Sequence, residues 1–217
     1  PNVNLVALYG PEHGVRGDIP AGQKVENQVD AKTGLKVHSL YGKTRKPTPE
    51  MLQGVDVLVY DIQDIGCRSY TFISTMGLVM NAAKEQNKEV VILDRPNPLG
   101  GEKVEGSGVS QGYFSFVSQF DIPYIYGLTC GELANYLNQE IGCKLTVVPM
   151  QGWKRHMRFE DTGLPWVPTS PQIPSPTAAI LYPATGIIGE MGFLNIGVGY
   201  TLPFQVMAAP WVKSVEL

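Results

Sequence analysis

Three short apolar runs punctuate the first half of the chain: residues 4–9 (NLVALY), 55–60 (VDVLVY) and 89–93 (EVVIL). Each stops at a polar turn that carries a carboxylate. Runs of this length, bounded by turn residues, predict buried strands. Between the second and third runs, residues 70–86 place Phe72, Ile73, Met76, Val79, Met80 and Ala83 at helical spacing, which predicts an amphipathic helix. Residues 129–141 predict a second helix, opened by a capping box of Thr129 and Glu132. Residues 144–149 (KLTVVP) predict a fourth strand. A strand followed by a crossover helix and another strand forces parallel pairing. The predicted class is therefore α/β, an open and mostly parallel sheet with helices on both faces.

The remaining segments are less regular. Residues 14–47 predict a long surface excursion, with a turn at Lys32-Thr33-Gly34 and a hairpin around 35–40. Thr48-Pro49-Glu50 predicts the start of a short helix, Thr being a good N-cap and Pro suiting the first helical position. From Thr162 onward Pro and Gly dominate, which divides the chain into an α/β domain over 1–160 and an irregular segment over 161–217 leading toward a second domain. Residues 191–212 carry no charge, but Asn195, Gln205, Pro203, Pro210 and three glycines interrupt them, so a buried Gly-rich segment is expected rather than a membrane span. The net charge of -3 and pI of about 5.6 exclude a nucleic-acid partner as the default. Cys67, Cys130 and Cys143 form no C-x-x-C motif and no disulfide framework.

In open α/β sheets, ligands bind outside the carboxyl ends of the strands, so the chemistry is expected in the turns after the strands. These are Gly10-Pro11-Glu12-His13-Gly14, the run from Asp61 to Arg68, and Asp94-Arg95-Pro96-Asn97-Pro98. Asp61 and Asp94 serve equally well as Asx caps of their own loops. Glu12 has no following helix to cap, which favours a functional role, and Arg68 is spaced either to pair with Asp64 or to clamp a substrate carboxylate. His13 beside Glu12 suggests hydrogen bonding more than metal binding, since no H-E-x-x-H spacing occurs, while His38 and His156 are expected at the surface. A G-x-S-x-G elbow and a Walker A loop are both absent, and Gly197-Val198-Gly199 lacks the spacing of a dinucleotide loop. No cofactor and no metal are expected. Glu190 is the one acid between Asp161 and Lys213; its apolar sequence neighbours suit either a general acid with a raised pKa or a solvent-facing Glu on a Gly turn.

Several of these motifs, in this order, resemble the bacterial exo-β-N-acetylmuramidases of the NamZ type. They are Pro11-Glu12-His13-Gly14, the run from Ser39-Leu40-Tyr41-Gly42 to Thr48-Pro49, Asp61-Ile62-Gln63-Asp64-Ile65-Gly66 with Arg68 and Tyr70-Thr71, Asp94-Arg95-Pro96-Asn97-Pro98, Val104-Glu105-Gly106, Gly131-Glu132-Leu133-Ala134, and Gly163-Leu164-Pro165-Trp166-Val167-Pro168. The resemblance implies a Rossmann-like domain, preceded by a further strand with an Asn-Pro-Thr turn and followed by a smaller C-terminal domain, with the site in the cleft between the two. It also implies release of N-acetylmuramic acid from the non-reducing ends of peptidoglycan fragments, and export to the periplasm or cell exterior. The family's catalytic glutamate falls on Glu12. The chain departs from the pattern after Tyr182-Pro183, where an acidic and an arginine position carry Ile196 and Val198.

The expected site follows from the strand-end rim and the resemblance together. Glu12 and Asp64 are catalytic, and His13, Asp61, Gln63, Arg68, Tyr70, Asp94, Arg95, Asn97, Glu105 and Glu190 meet the saccharide. Arg68 or Arg95 would take the lactyl carboxylate, with Arg16 a poorer choice. Paired carboxylates suit a glycosidase. The alternatives are a non-catalytic saccharide-binding protein of the same fold, favoured by Ile196 and Val198, and a metal-dependent phosphoester hydrolase using Glu12, His13, Asp61 and Asp64.

Overall fold

The computed structural model describes residues 3–216 and shows an α/β fold. Strands β4 (Val57–Tyr60), β5 (Glu89–Leu93) and β6 (Lys144–Val148) pair in parallel, in that order. Ahead of them in the chain, β1 (Leu8–Gly10), β2 (Gln28–Val29) and β3 (Lys36–Ser39) make a second three-stranded sheet in the order β1-β3-β2. In that sheet β1 and β3 are parallel, whereas β2 and β3 form the predicted hairpin. Its turn is held by Asp30, which accepts from the Thr33 amide at 2.9 Å and the Thr33 hydroxyl at 2.7 Å, with Gly34 left-handed at φ 71°.

Helix α1 (Phe72–Glu85) crosses from β4 to β5, and α2 (Cys130–Ile141) precedes β6. The two helices pack on each other and on the β4-β5-β6 sheet. Leu58, Tyr60, Val90 and Ile92 of the sheet meet Met76, Met80, Leu133 and Ala134 of the helices in one core. On β4 the alternate residues Val57 and Val59 are exposed. The Thr129–Glu132 capping box is present with both bonds made, and Gly142 closes α2 in the left-handed region, as C-terminal glycines do.

Four sequence expectations are corrected. Pro176–Gly189 is a helix, α3, where Pro and Gly suggested coil; Ser175 caps it and Pro176 occupies its first turn. The segment opened by Thr48 stops after one turn: Leu52 N–H bonds back to Thr48 O, but Gly54 turns left-handed at φ 76° and the chain leaves for β4. The 14–47 excursion is partly core, with Val25 and Val37 fully buried and His38 buried against the Tyr9 ring. The uncharged 191–212 segment is largely open, since left-handed turns at Gly192, Gly197 and Gly199 leave Phe193, Tyr200, Met207 and Trp211 exposed while Phe204 is buried. Among the described residues no helix is long and apolar enough to cross a membrane. All three cysteines are buried and unpaired.

Candidate active site

Glu12 sits two residues beyond the end of β1, half-buried. Its Oε2 accepts from the Thr71 hydroxyl at 2.6 Å, and its Oε1 from the Gly22 amide at 3.0 Å. Thr71 is the N-cap residue of α1, yet its side chain makes no bond to its own helix. The hydroxyl that would satisfy an orphan amide is committed to Glu12 instead. Tyr41 adds a third neighbour: burial pushes its phenol up, Glu12 pushes it further, and Arg45, whose guanidinium lies over the ring, pulls it back. Among the described residues no cation forms an ion pair with Glu12.

A cluster of hydroxyls lies close by. Ser69 Oγ lies 3.0 Å from Tyr124 OH and 3.4 Å from Tyr182 OH. Tyr182 reaches in from α3 and packs edge-on against Tyr70 and Phe204. Burial pushes its phenol up, the Ser69 hydrogen bond pulls it back, and the carboxylates of Glu12 and Glu190 add to the rise. Glu190 caps the end of α3 and faces solvent, so the enclosure its apolar sequence neighbours suggested does not form.

The other expected site residues are placed as follows. Asp64 is 4% exposed. Its Oδ2 accepts from Tyr126 OH and from the Gly66 amide, and Oδ1 has no partner among the described residues. Burial pushes its carboxyl up to about 6 against those hydrogen bonds. Such enclosure makes Asp64 a core acid, closed to a saccharide. Asp61 is exposed and paired with Arg95, whose Nε donates at 2.8 Å. Asp94 accepts from the Gly131 amide and the Thr129 hydroxyl, both at 2.8 Å, which caps α2. Arg68 donates to the carbonyls of Ser107 at 2.7 Å and Ile122 at 2.5 Å. Gln63 donates to the carbonyls of Asp64 and Pro96, tying the turns after β4 and β5 together. Asn97 is buried, bonded to Leu128 O and the Leu99 amide. His13 is buried with φ 70°, its Nδ1 2.7 Å from Ile19 O, and its ring stacks on that of Tyr70. Glu105 is exposed beside Lys103 at 3.4 Å. These groups build the rim; Glu12 alone among the expected pair of catalytic acids is both held and open.

Sequence reasoning missed Thr71 as the partner of Glu12, Tyr182 as a phenol its charge acts on, and Arg45 over the Tyr41 ring. Thr71 and Arg45 lie within quoted motifs, but a contact spanning 59 residues leaves no mark in local spacing. A cavity of about 230 Å³ lies elsewhere, at the end of β6, lined by Asp94, Thr129, Glu132 and Trp153 among others. Its acids are already used: Asp94 caps α2, and Glu132 completes the capping box and pairs with Arg155 at 2.7 Å. Among the described residues no group of three His, Cys, Asp or Glu side chains is placed to hold a metal.

Comparison with known proteins adds three findings. The profile of the family described as "Exo-beta-N-acetylmuramidase NamZ, N-terminal" matches residues 1–177. A Bacillus subtilis (strain 168) protein named peptidoglycan beta-N-acetylmuramidase NamZ is 52% identical over 219 residues, covering all of this chain and 53% of its own length. Two solved structures of DUF1343 family proteins from Bacteroides fragilis NCTC 9343 share the fold. One is 64% identical with a TM-score of 0.91, covering 99% of this chain and 55% of that one. The other is 35% identical with a TM-score of 0.81, covering 98% and 56%. The chain thus spans about half the length of these relatives.

Proposed function

Since the chain belongs to the family of N-terminal domains of NamZ-type exo-β-N-acetylmuramidases, we propose that it carries the acid/base carboxylate of a glycosidase releasing N-acetylmuramic acid from the non-reducing ends of peptidoglycan fragments. The observation that carries this reading is the setting of Glu12. Both of its oxygens are held by neutral donors, Thr71 and the Gly22 amide, and among the described residues no cation is paired with it. A general acid needs this: a fixed carboxyl that protonates the leaving oxygen and then takes a proton from water.

The second partner of the chemistry is less enclosed than Asp64. Glu190 faces solvent and acts on the same Tyr182 phenol as Glu12, and the substrate's own N-acetyl oxygen is a further nucleophile. The hydroxyls of Ser69, Tyr124 and Tyr182 offer donors and acceptors to sugar hydroxyls.

The test is hydrolysis of a chromogenic β-N-acetylmuraminide beside the matching β-N-acetylglucosaminide. Turnover of the first in preference to the second supports the reading, and Glu12→Gln should lower release of N-acetylmuramic acid from a saccharide, whose leaving oxygen needs a proton, roughly 10²–10⁴-fold. A Glu12→Gln variant that keeps most of its activity contradicts it. We propose the same substrate as the reason for export to the periplasm or cell exterior, where peptidoglycan lies. Recovery of the protein with cytoplasmic markers on cell fractionation would count against that location.

A further inference from the structure

The arginines of this chain differ in how they are used. Arg16 pairs with Asp30, Arg95 with Asp61 and Arg155 with Glu132. Arg68 is bound by two backbone carbonyls. Arg158 is exposed at the start of the turn Phe159–Thr162. Arg45 is half-buried and, among the described residues, has no carboxylate partner. Its guanidinium carbon lies 4.4 Å from the centroid of the Tyr41 ring and 4.0 Å from that of Phe116. Both rings lie against the cation, its one polar partner being the Tyr41 hydroxyl, so that no carboxylate among the described residues neutralises it. Gly10 of β1 pairs with Ser39 of β3, and the Leu40 amide donates to Gly10 O at 2.8 Å, so the chain brings Glu12 and Tyr41, each two residues further on, side by side; Tyr41 thus stands between the proposed acid/base and the Arg45 guanidinium.

We propose that Arg45 receives the lactyl carboxylate of the sugar and thereby sets the preference of the Glu12 site for a muramic over a glucosamine residue. The inference rests on the reading of Glu12 given above. N-acetylmuramic acid differs from N-acetylglucosamine by a lactyl ether on C3, which ends in a carboxylate. C3 is two ring carbons from the anomeric carbon at which Glu12 acts, so one sugar ring spans the two recognised groups. A planar guanidinium meets a carboxylate through two parallel N–H bonds, a match that an ammonium lacks. The arginines expected for this task from sequence, Arg68 and Arg95, are already bound elsewhere. Two and three residues before Phe116 in the chain, Phe114 and Tyr113 are exposed and offer apolar ring faces to a sugar.

The test is calorimetric titration of the 217-residue chain and its Arg45→Gln and Arg45→Lys variants with N-acetylmuramic acid, its methyl ester and N-acetylglucosamine. The ester keeps the shape of the ligand and removes its charge, so each protein carries its own control for folding. The wild type should bind the acid roughly tenfold or more tighter than the ester. Arg45→Gln should bind acid and ester alike, and Arg45→Lys should keep only part of the preference. If the wild type prefers the acid and Arg45→Gln retains that preference in full, Arg45 is scaffolding and the inference falls, while the muramidase reading stands. A wild type that binds N-acetylmuramic acid no better than N-acetylglucosamine overturns both.

Discussion

Thr71 has a choice of partner, and its choice organises the site. Its hydroxyl faces Glu12 at 2.6 Å instead of an amide of α1. This makes Thr71 a positioning residue. Thr71→Val should lower kcat by up to roughly 10²-fold, the cost of a catalytic group displaced by about an ångström, with a smaller change in KM. Thr71→Ser, which restores the donor, should recover most of the loss, and an unchanged kcat in Thr71→Val would contradict the role. Asp64 gives a second prediction at this scale, in stability. Its carboxyl is raised from 3.8 to about 6 by burial. Between those values the folded protein holds a proton that the unfolded chain has released. The stability it contributes is therefore full below pH 4 and is lost as pH rises through 6, by about 3 kcal/mol. Asp30 works in the opposite sense and in another window: the Arg16 hydrogen bond lowers it to about 2, so its contribution is lost as pH falls from 4 toward 2. Asp64→Asn should flatten the urea midpoint between pH 4 and 6 and leave the acid limb unchanged. An unaltered slope from 4 to 6 would assign that titration to another group.

At the scale of elements, α2 shows what sequence reveals well. Thr129 and Glu132 are three residues apart, both bonds of the box are local, and the helix starts where they place it. The bounds of β5 are likewise those of its apolar run. What the sequence conceals is the third support of α2: Asp94, from the end of β5, accepts from the Gly131 amide and the Thr129 hydroxyl across 35 residues or more. Gly131 is glycine because a Cβ there would lie 2.6 Å from Val147 and 2.8 Å from the Asp94 carboxyl carbon. Asp94→Ala should therefore cost about 1–2 kcal/mol, the loss of a helix cap, with no change in saccharide binding; a loss of binding at unchanged stability would make Asp94 a substrate contact. Helix α3 was concealed for the opposite reason. Pro183, Gly186 and Gly189 lie inside it, and its apolar residues show no one-sided stripe, so local propensity pointed to coil. Tertiary packing overrides it: Ala178 and Ala179 are fully buried against Ile65, Phe72 and Ile173.

In the whole molecule, burial is one-sided across β4. Leu58 is 5% exposed beneath the helices, while its neighbour Val59 is 60% exposed on the opposite face. Leu58→Ala should cost about 2–5 kcal/mol, whereas Val59→Thr should stay within about 0.5 kcal/mol, and equal costs in thermal denaturation would show that both faces are covered in solution. Pairing in parallel was legible in the alternation of strand and helix; division into two sheets was not, because strand partners are chosen across the chain. The functional rim divides in the same way. The turns after β4 and β5 hold one another through Gln63 and through the Asp61–Arg95 pair, and this frame leaves Glu12, from the other sheet, as the acid open to a ligand. The most direct test of that central assignment is the dependence of turnover on the leaving group. From a dinitrophenyl β-N-acetylmuraminide the dinitrophenolate departs without protonation, whereas the alkoxide of an alkyl glycoside needs an acid. Glu12→Gln should therefore retain much of the wild-type rate of glycosidic cleavage for the first substrate and lose roughly 10²–10⁴-fold for the second. An equal loss on both substrates would show that Glu12 does not donate the proton.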